Sequence, residues 1–392
     1  MLDILKIRAD FPALQNYVWF QNGGVSITPI PIAEAHNRLM QELLERGPMH
    51  IVYPEEEYPR RRQTIARLAQ FFRVEAEELA VMRGVSEAYQ TVLRGLPWQK
   101  GDQIVITEDE EQALVVPTLH LRDLFGVEVV RLPLVDDVEG QVQALAERLT
   151  SRTRLVALSH VGTDLGFRLP VKPICRLTRE RGVPIFIDLA HSAGLYPIDL
   201  RDIGCDFAGL LSYKWMYAPY AVGLLFVRKE RLSDLQVTYA GGRAEEWVDF
   251  NQQTFKLKDT AERFQYGPWA WPLVHTWAFA ADYLTNLGLD KIWARTVTLT
   301  GKLKHGLAQI PAVTLYTPMS PELSASLVSF GLRGWDGPEL QNALRERWDI
   351  ITRALYISKN GLRASVPFFL LEEEINLLLG AIRSLAADKD AL

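Results

Sequence analysis

Asp206-Phe-Ala-Gly-Leu-Leu-Ser-Tyr-Lys214-Trp-Met-Tyr-Ala-Pro219 decides the fold when read with Phe186-Ile-Asp188-Leu-Ala-His191-Ser-Ala-Gly194. Val183 to Asp188 is a short apolar run ending in an acid. Phe207 to Ser212 is a second, ending just before a lysine, and Gly223 to Arg228 is a third. Runs of this length and composition read as buried strands. Reactive side chains at their carboxyl ends sit where open α/β sheets bind ligands.

An aspartate at a strand end or a lysine on a loop is commonplace when met alone. Met together on neighbouring strands, they match the needs of pyridoxal 5'-phosphate (PLP). That cofactor is held covalently by a lysine amine, and a carboxylate keeps its ring nitrogen protonated so that the ring withdraws electrons. Lys214 and Asp188 fit these roles. Gly84-Val85-Ser86 follows the apolar run Leu79-Ala-Val-Met82 and opens a helical pattern. Its backbone N–H groups and the Ser86 hydroxyl are therefore placed to hold the cofactor phosphate at a helix's positive end. Ser212, two residues before the lysine, is a second phosphate candidate.

The chain has 392 residues, 48% of them hydrophobic and 23% charged, with a formal charge of -5. This length predicts more than one domain. The mixed charge offers nothing that attracts nucleic acid. No apolar run approaches the length of a membrane span, and Met1-Leu-Asp-Ile-Leu-Lys lacks the layout of a signal peptide, so a cytoplasmic location is expected. Cys175 and Cys205 are the only cysteines, too few for a disulfide framework or a metal cluster, and no metal is expected.

Residues 1–30 read as an entry arm in which the strand-like Val18-Trp-Phe-Gln breaks on Gly23-Gly24, a turn that approaches something closely. Residues 31–250 read as the large cofactor-binding domain. Within it, apolar periodicity predicts helices at 32–45 and, after Pro59, to Phe72. From Leu79 onward strand and helix alternate, predicting a mostly parallel central sheet covered by helices on both faces. Residues 251–392 read as a smaller C-terminal α+β domain. It begins with a helical connection at 271–305, carries strands near 326–332, 350–355 and 362–366, and ends on a helix from Leu371.

This order of segments resembles the class V aminotransferase and cysteine desulfurase-like group of fold-type I PLP-dependent enzymes, from the Phe11-Pro-Ala arm to the Arg363–Glu374 tail. His191-Ser-Ala-Gly-Leu-Tyr-Pro-Ile-Asp-Leu200, followed by Lys214-Trp-Met-Tyr-Ala-Pro219, is nearest in pattern to cysteine/cystine C–S lyases and isopenicillin N epimerase-like proteins. The resemblance implies a homodimer with shared active sites, in which Thr238-Tyr-Ala-Gly-Gly-Arg243 reaches the partner's phosphate. It implies that Gly84-Val85-Ser86 forms the phosphate cup and that His191 sits near the ring's phenolic oxygen. It also implies that Arg363, in Gly361-Leu-Arg-Ala-Ser-Val-Pro367, binds the substrate α-carboxylate, with Arg353 as a rival.

Three positions depart from the group's pattern. Glu111 stands where relatives place a ring-stacking histidine or aromatic residue; it either takes a proton as a general acid or faces away. Tyr213 replaces the usual histidine before the lysine. Thr163 or Asp164 falls where asparagine or serine is common near the ring oxygen. No cysteine lies between Asp336 and Arg363, whereas persulfide-forming desulfurases use a loop thiolate there. The expected activity is therefore β-elimination by a C–S lyase acting on an α-amino acid, with Lys214 taking the Cα proton. An aminotransferase, an amino-acid epimerase and a non-catalytic PLP-fold binding module are the alternatives.

Overall fold

The computed structural model describes residues 2–390. The alternating segments after Leu79 close into one seven-stranded sheet. Its spatial order is Leu79–Met82, Gly223–Val227, Phe207–Leu211, Ile185–Asp188, Thr153–Ser159, Gln103–Thr107, Glu128–Leu132. The last five run parallel, and Gly223–Val227 is antiparallel to both its neighbours. The two-residue period of a strand sends alternate side chains to opposite faces. Ile185 and Ile187 accordingly join one apolar layer while Phe186 joins the other. Covering both faces is what a parallel sheet requires, and it explains the unbroken apolar runs in the sequence.

Two glycines let the layers close. A Cβ on Gly209, which pairs in register with Asp188, would lie 2.8 Å from Phe186 Cζ and 3.1 Å from Val85 Cγ1. A Cβ on Gly223 would lie 2.6 Å from the Gly84 Cα, so the missing side chain allows the start of the Val85–Gly95 helix to sit on the sheet.

Strands Val313–Leu315, Leu327–Leu332, Leu362–Ser365 and Arg353–Ala354 form a second, antiparallel sheet in that order. Its core takes in Leu299, Leu303 and Leu307 of the Leu289–Ala308 helix and Ile375, Leu378 and Ile382 of the Glu372–Asp390 helix. The preceding Trp271–Leu287 helix instead places Val274, Trp277, Ala281 and Leu284 in the core of the large sheet.

The segment expected as one strand at 350–355 divides. Ile350–Ile351 pairs with Val18–Trp19, while Arg353–Ala354 joins the small sheet. The helix expected to start after Pro59 spans Pro54–Phe72 with Pro59 inside it; its first turn carries Glu55, Glu56 and Glu57, which favour a helix N-terminus. The Val171–Glu180 helix and the Glu245–Asp249/Thr254–Leu257 hairpin lie outside the sequence reading. Among the described residues, no helix is long and apolar enough to cross a membrane.

The entry arm crosses between the two sheets. After pairing with Ile350–Ile351 it bridges Gln21 to Ser365, and a Cβ on Gly23 would lie 2.7 Å from Ser365 Oγ and 3.4 Å from Arg363 Cζ. Asn22 Nδ2 donates to the Lys214 carbonyl at 3.3 Å, and Ser26 donates to the Tyr213 carbonyl through both its N–H and its hydroxyl. The close approach expected of the double glycine is to the Arg363 strand, and the same short segment ties the lysine loop to it.

Candidate active site

The carboxyl ends of the parallel strands open into a cavity of about 630 Å³, within the range of small-ligand sites. Lys214 and Asp188 reach it from neighbouring strand ends, Glu111 from the start of the Gln112–Phe125 helix, and Arg363 and Arg353 from the small sheet. Arg353 and Arg363 are partners in register on adjacent strands, so the two guanidinium groups enter side by side.

Lys214 is 6% exposed, and its Nζ lies 3.2 Å from His191 Nε2. Burial lowers its pKa to about 8; Glu111 and Asp188 oppose that shift, while Arg363 and Arg353 add to it. An amine so placed gives up and regains a proton near neutral pH. Asp188 is 3% exposed and accepts the Ala190 N–H at 2.7 Å. Burial raises its pKa to about 7, against the Ala190 hydrogen bond and the Lys214 charge, with Glu110 and Glu111 adding repulsion. This is a carboxylate in need of a cation, which a pyridinium would supply. His191 is held neutral, first by burial and then by Lys214 and the two arginines, and its Nδ1 is buried without a partner.

The Val85–Gly95 helix starts at Gly84, whose φ of 156° suits glycine, and no side chain caps it. Its first N–H groups are thus left open toward the cavity that Gly84, Val85 and Ser86 line. Arg83 stands at the same rim, paired with Glu87 at 3.1 Å.

The structure does not bring Ser212 to this cavity. Its hydroxyl donates to the Pro219 carbonyl and the residue is fully buried, while Leu211 and Tyr213 on either side line the space. A strand continuing from Leu211 points successive side chains to opposite faces, so Ser212 faces the protein. Tyr213 stacks on Tyr220 with ring centroids 4.3 Å apart.

Glu111 faces the cavity, and its surroundings favour the charged form. Burial disfavours its charge, but Lys214 and hydrogen bonds from Thr163 and Tyr356 hold its pKa below the usual carboxylate value. Thr163 Oγ1 donates to Oε2 at 2.9 Å, Tyr356 OH donates to both oxygens at 3.0 Å, and the Gln112 N–H donates to Oε1 at 3.0 Å. Thr163 is the residue of its loop that meets Glu111 and His191. Asp164 turns the other way and accepts the Tyr356 and Ile357 N–H groups at 2.9 and 2.7 Å. Arg363, 2% exposed, donates through Nη1 to the Thr163 carbonyl at 2.6 Å and to Oγ1 at 3.2 Å, and its Nε is buried without a partner.

Tyr356 is a cavity residue that sequence reading missed. It lines the cavity, with the Arg353 guanidinium 4.7 Å from its ring centroid. The available signal was an aromatic residue three positions after Arg353, just past the segment read as a strand at 350–355.

This donor set fits PLP: a buried amine, a buried carboxylate without a cationic partner of its own, and an open helix N-terminus, all on one cavity. Residues 54–378 match the family model described as Aminotransferase class-V. The chain is 30% identical to a cysteine desulfurase of Salmonella typhimurium over 80% of this chain and 79% of the relative. It is 25% identical, over 97% of each chain, to a probable cysteine desulfurase of Methanothermobacter thermautotrophicus. The cystine C–S lyase C-DES in complex with its product cysteine persulfide superposes with a TM-score of 0.87 at 27% identity, covering 95% of this chain and 99% of that one. A C-DES mutant with glycine covalently linked to its PLP cofactor gives 0.88 at 26% identity, covering 96% and 98%.

Proposed function

The chain belongs to the class-V aminotransferase family and is a PLP-dependent enzyme, and from that premise we propose that it is a C–S lyase of cysteine-derived α-amino acids, with cystine as the preferred substrate class. The observation that carries the reading is the absence of a usable thiol. The segment linking the Arg353 and Arg363 strands, Leu355 to Gly361, contains no cysteine. Cys175 and Cys205 are 1% and 0% exposed, and burial pushes both thiols up, Cys205 to about 12. The sulfur therefore has no protein thiolate to leave onto. A disulfide-bearing substrate avoids that need, because its sulfur departs as a persulfide. The two adjacent arginines suit such a substrate, which carries two carboxylates.

When bound, PLP supplies a ring that withdraws the electron pair left at Cα. Asp188 would hold the protonated ring nitrogen, a charge-assisted contact. The open N–H groups after Gly84, with the Ser86 hydroxyl, would hold the phosphate. Arg363 keeps one edge for the substrate α-carboxylate, since Nη1 is committed to Thr163. Lys214 takes the Cα proton as the Cα–H bond breaks; the Cβ–S bond then breaks with its electron pair leaving on sulfur. His191, neutral and 3.2 Å from Nζ, orients the lysine amine.

We further propose that the enzyme works as a cytoplasmic homodimer, with Thr238–Arg243 contributing to the partner's site. Two reduced, buried cysteines suit a reducing compartment. The test is pyruvate release from L-cystine and L-cysteine by PLP-loaded protein, with Lys214→Ala as control and a Cys175→Ala/Cys205→Ala variant beside it. Lysine-dependent pyruvate that survives removal of both thiols is expected. Transamination and epimerisation release none, so a loaded enzyme that produces no pyruvate defeats the assignment.

A further inference from the structure

A half-buried carboxylate at a cavity wall is costly unless its charge has a use. Glu111 is built to keep that charge. Its two oxygens accept from Thr163, Tyr356 and the Gln112 N–H, and the carboxylate is also the capping group of its own helix. The same Thr163 hydroxyl lies 3.3 Å from His191 Nε2, which lies 3.2 Å from Lys214 Nζ. Glu111, Thr163, His191 and Lys214 thus stand in successive polar contact along one wall, with Glu111 held from the far side by Tyr356 of the segment after the Arg353–Ala354 strand.

We propose that Glu111 is a positioning residue acting by electrostatics: its carboxylate, fixed by Thr163 and Tyr356, keeps the proton on the Lys214 nitrogen, the atom that carries the cofactor and moves the substrate proton. The inference rests on the PLP reading of Lys214, but not on which amino acid is cleaved.

The charges around Lys214 make Glu111 the deciding one. From the strand ends come Asp188 and neutral His191; from the lysine loop, Tyr213; from the small sheet side, Arg353, Arg363 and Tyr356; and behind Glu111, buried Glu110. Both arginines oppose a proton on Lys214. Asp188 favours it, but its charge is the one a protonated ring nitrogen would neutralise. Tyr213, Tyr356 and His191 are uncharged near neutral pH, as burial holds both tyrosines above their ordinary value and His191 below its own. Glu110 is committed to Thr107 and Ser159, and burial pushes its pKa up. Glu111 is then the anion that remains to offset the arginines.

The test reads the visible absorption of the bound cofactor against pH, which reports the proton on the Lys214 nitrogen without any turnover. In Glu111→Gln, which keeps shape and removes charge, the midpoint falls by about one pH unit, the low end of the shift for losing an opposite charge that lines the same cavity. Thr163→Val, which removes one of the three donors that fix the carboxylate, lowers it by less, and Thr163→Ser restores the parental value. A Glu111→Gln midpoint equal to the parent's overturns the inference. If Glu111→Gln does not load cofactor, the threonine pair decides. A lowered Thr163→Val midpoint with Thr163→Ser at the parental value supports the inference, and an unmoved Thr163→Val midpoint overturns it. Failure of the parent to show any lysine-dependent cofactor band would instead sink the PLP reading itself.

Discussion

Replacing Arg363 by lysine keeps the positive charge and removes the fork, and the structure fixes what that does. Nη1 is spent on the Thr163 carbonyl and hydroxyl, so recognition falls to Nε, buried without a partner, and Nη2. A carboxylate there receives two charge-assisted hydrogen bonds, each worth about 1.5–3 kcal/mol net. A lysine can donate one of them from its single nitrogen but not both in parallel. The loss of one bond predicts a fall in kcat/KM of about 10- to 150-fold. The assay is pyruvate release from L-cystine over a range of concentrations, with L-cystine diamide as the second substrate. Parent and Arg363→Lys should differ on the acid and converge on the diamide, which offers no carboxylate. The bound-cofactor spectrum should match in both, showing that the Thr163 contact and the fold survive. Equal kcat/KM on the acid, or the same gap on the diamide, would refute the placement of the carboxylate.

Two further outcomes are expected. Gly209→Ala puts a methyl 2.8 Å from Phe186 Cζ, and overpacking of this kind costs about 1–3 kcal/mol, visible as a lower urea midpoint; an unchanged midpoint would show that the layer gives way freely. Cofactor-free protein should lose stability as pH rises from the ordinary carboxylate range toward 7. Asp188 and Asp109, both raised to about 7 chiefly by burial, keep protons when folded that the unfolded chain releases above about 4, so the folded state is disfavoured as pH climbs through that window. Loading with PLP should flatten the slope by the share belonging to Asp188, whereas Asp109, whose Oδ2 accepts the Leu165 N–H, should keep its own. A cofactor-free thermal midpoint that rises with pH across that window would reverse the sign.

Much of the site was legible because its chemistry is local. Lys214 and Asp188 stand at the ends of apolar runs, and burial of those runs on both faces of a parallel sheet forces their carboxyl ends into one crevice. Gly84-Val85-Ser86 was readable for the same reason, as a strand that turns straight into a helix. Ser212 differs: its hydroxyl is turned to the Pro219 carbonyl, and a hydroxyl two residues from a lysine looks the same in sequence whether it faces the cavity or that carbonyl. Only the course of the strand past Leu211 distinguishes these.

What the amino-acid order alone determined is therefore the sheet, the lysine–carboxylate pair and the absence of a thiol near Arg363, all features of short segments and their periodicity. The tertiary structure alone decided the state of Glu111, which faces the cavity in surroundings that favour its charged form. Its partners Thr163 and Tyr356 lie 52 and 245 positions along the chain, and Lys214 approaches from another strand end. A carboxylate's charge depends on the donors and cations that surround it in space. Those neighbours are assembled only when the small sheet is docked beside the large one, with the entry arm threaded between them.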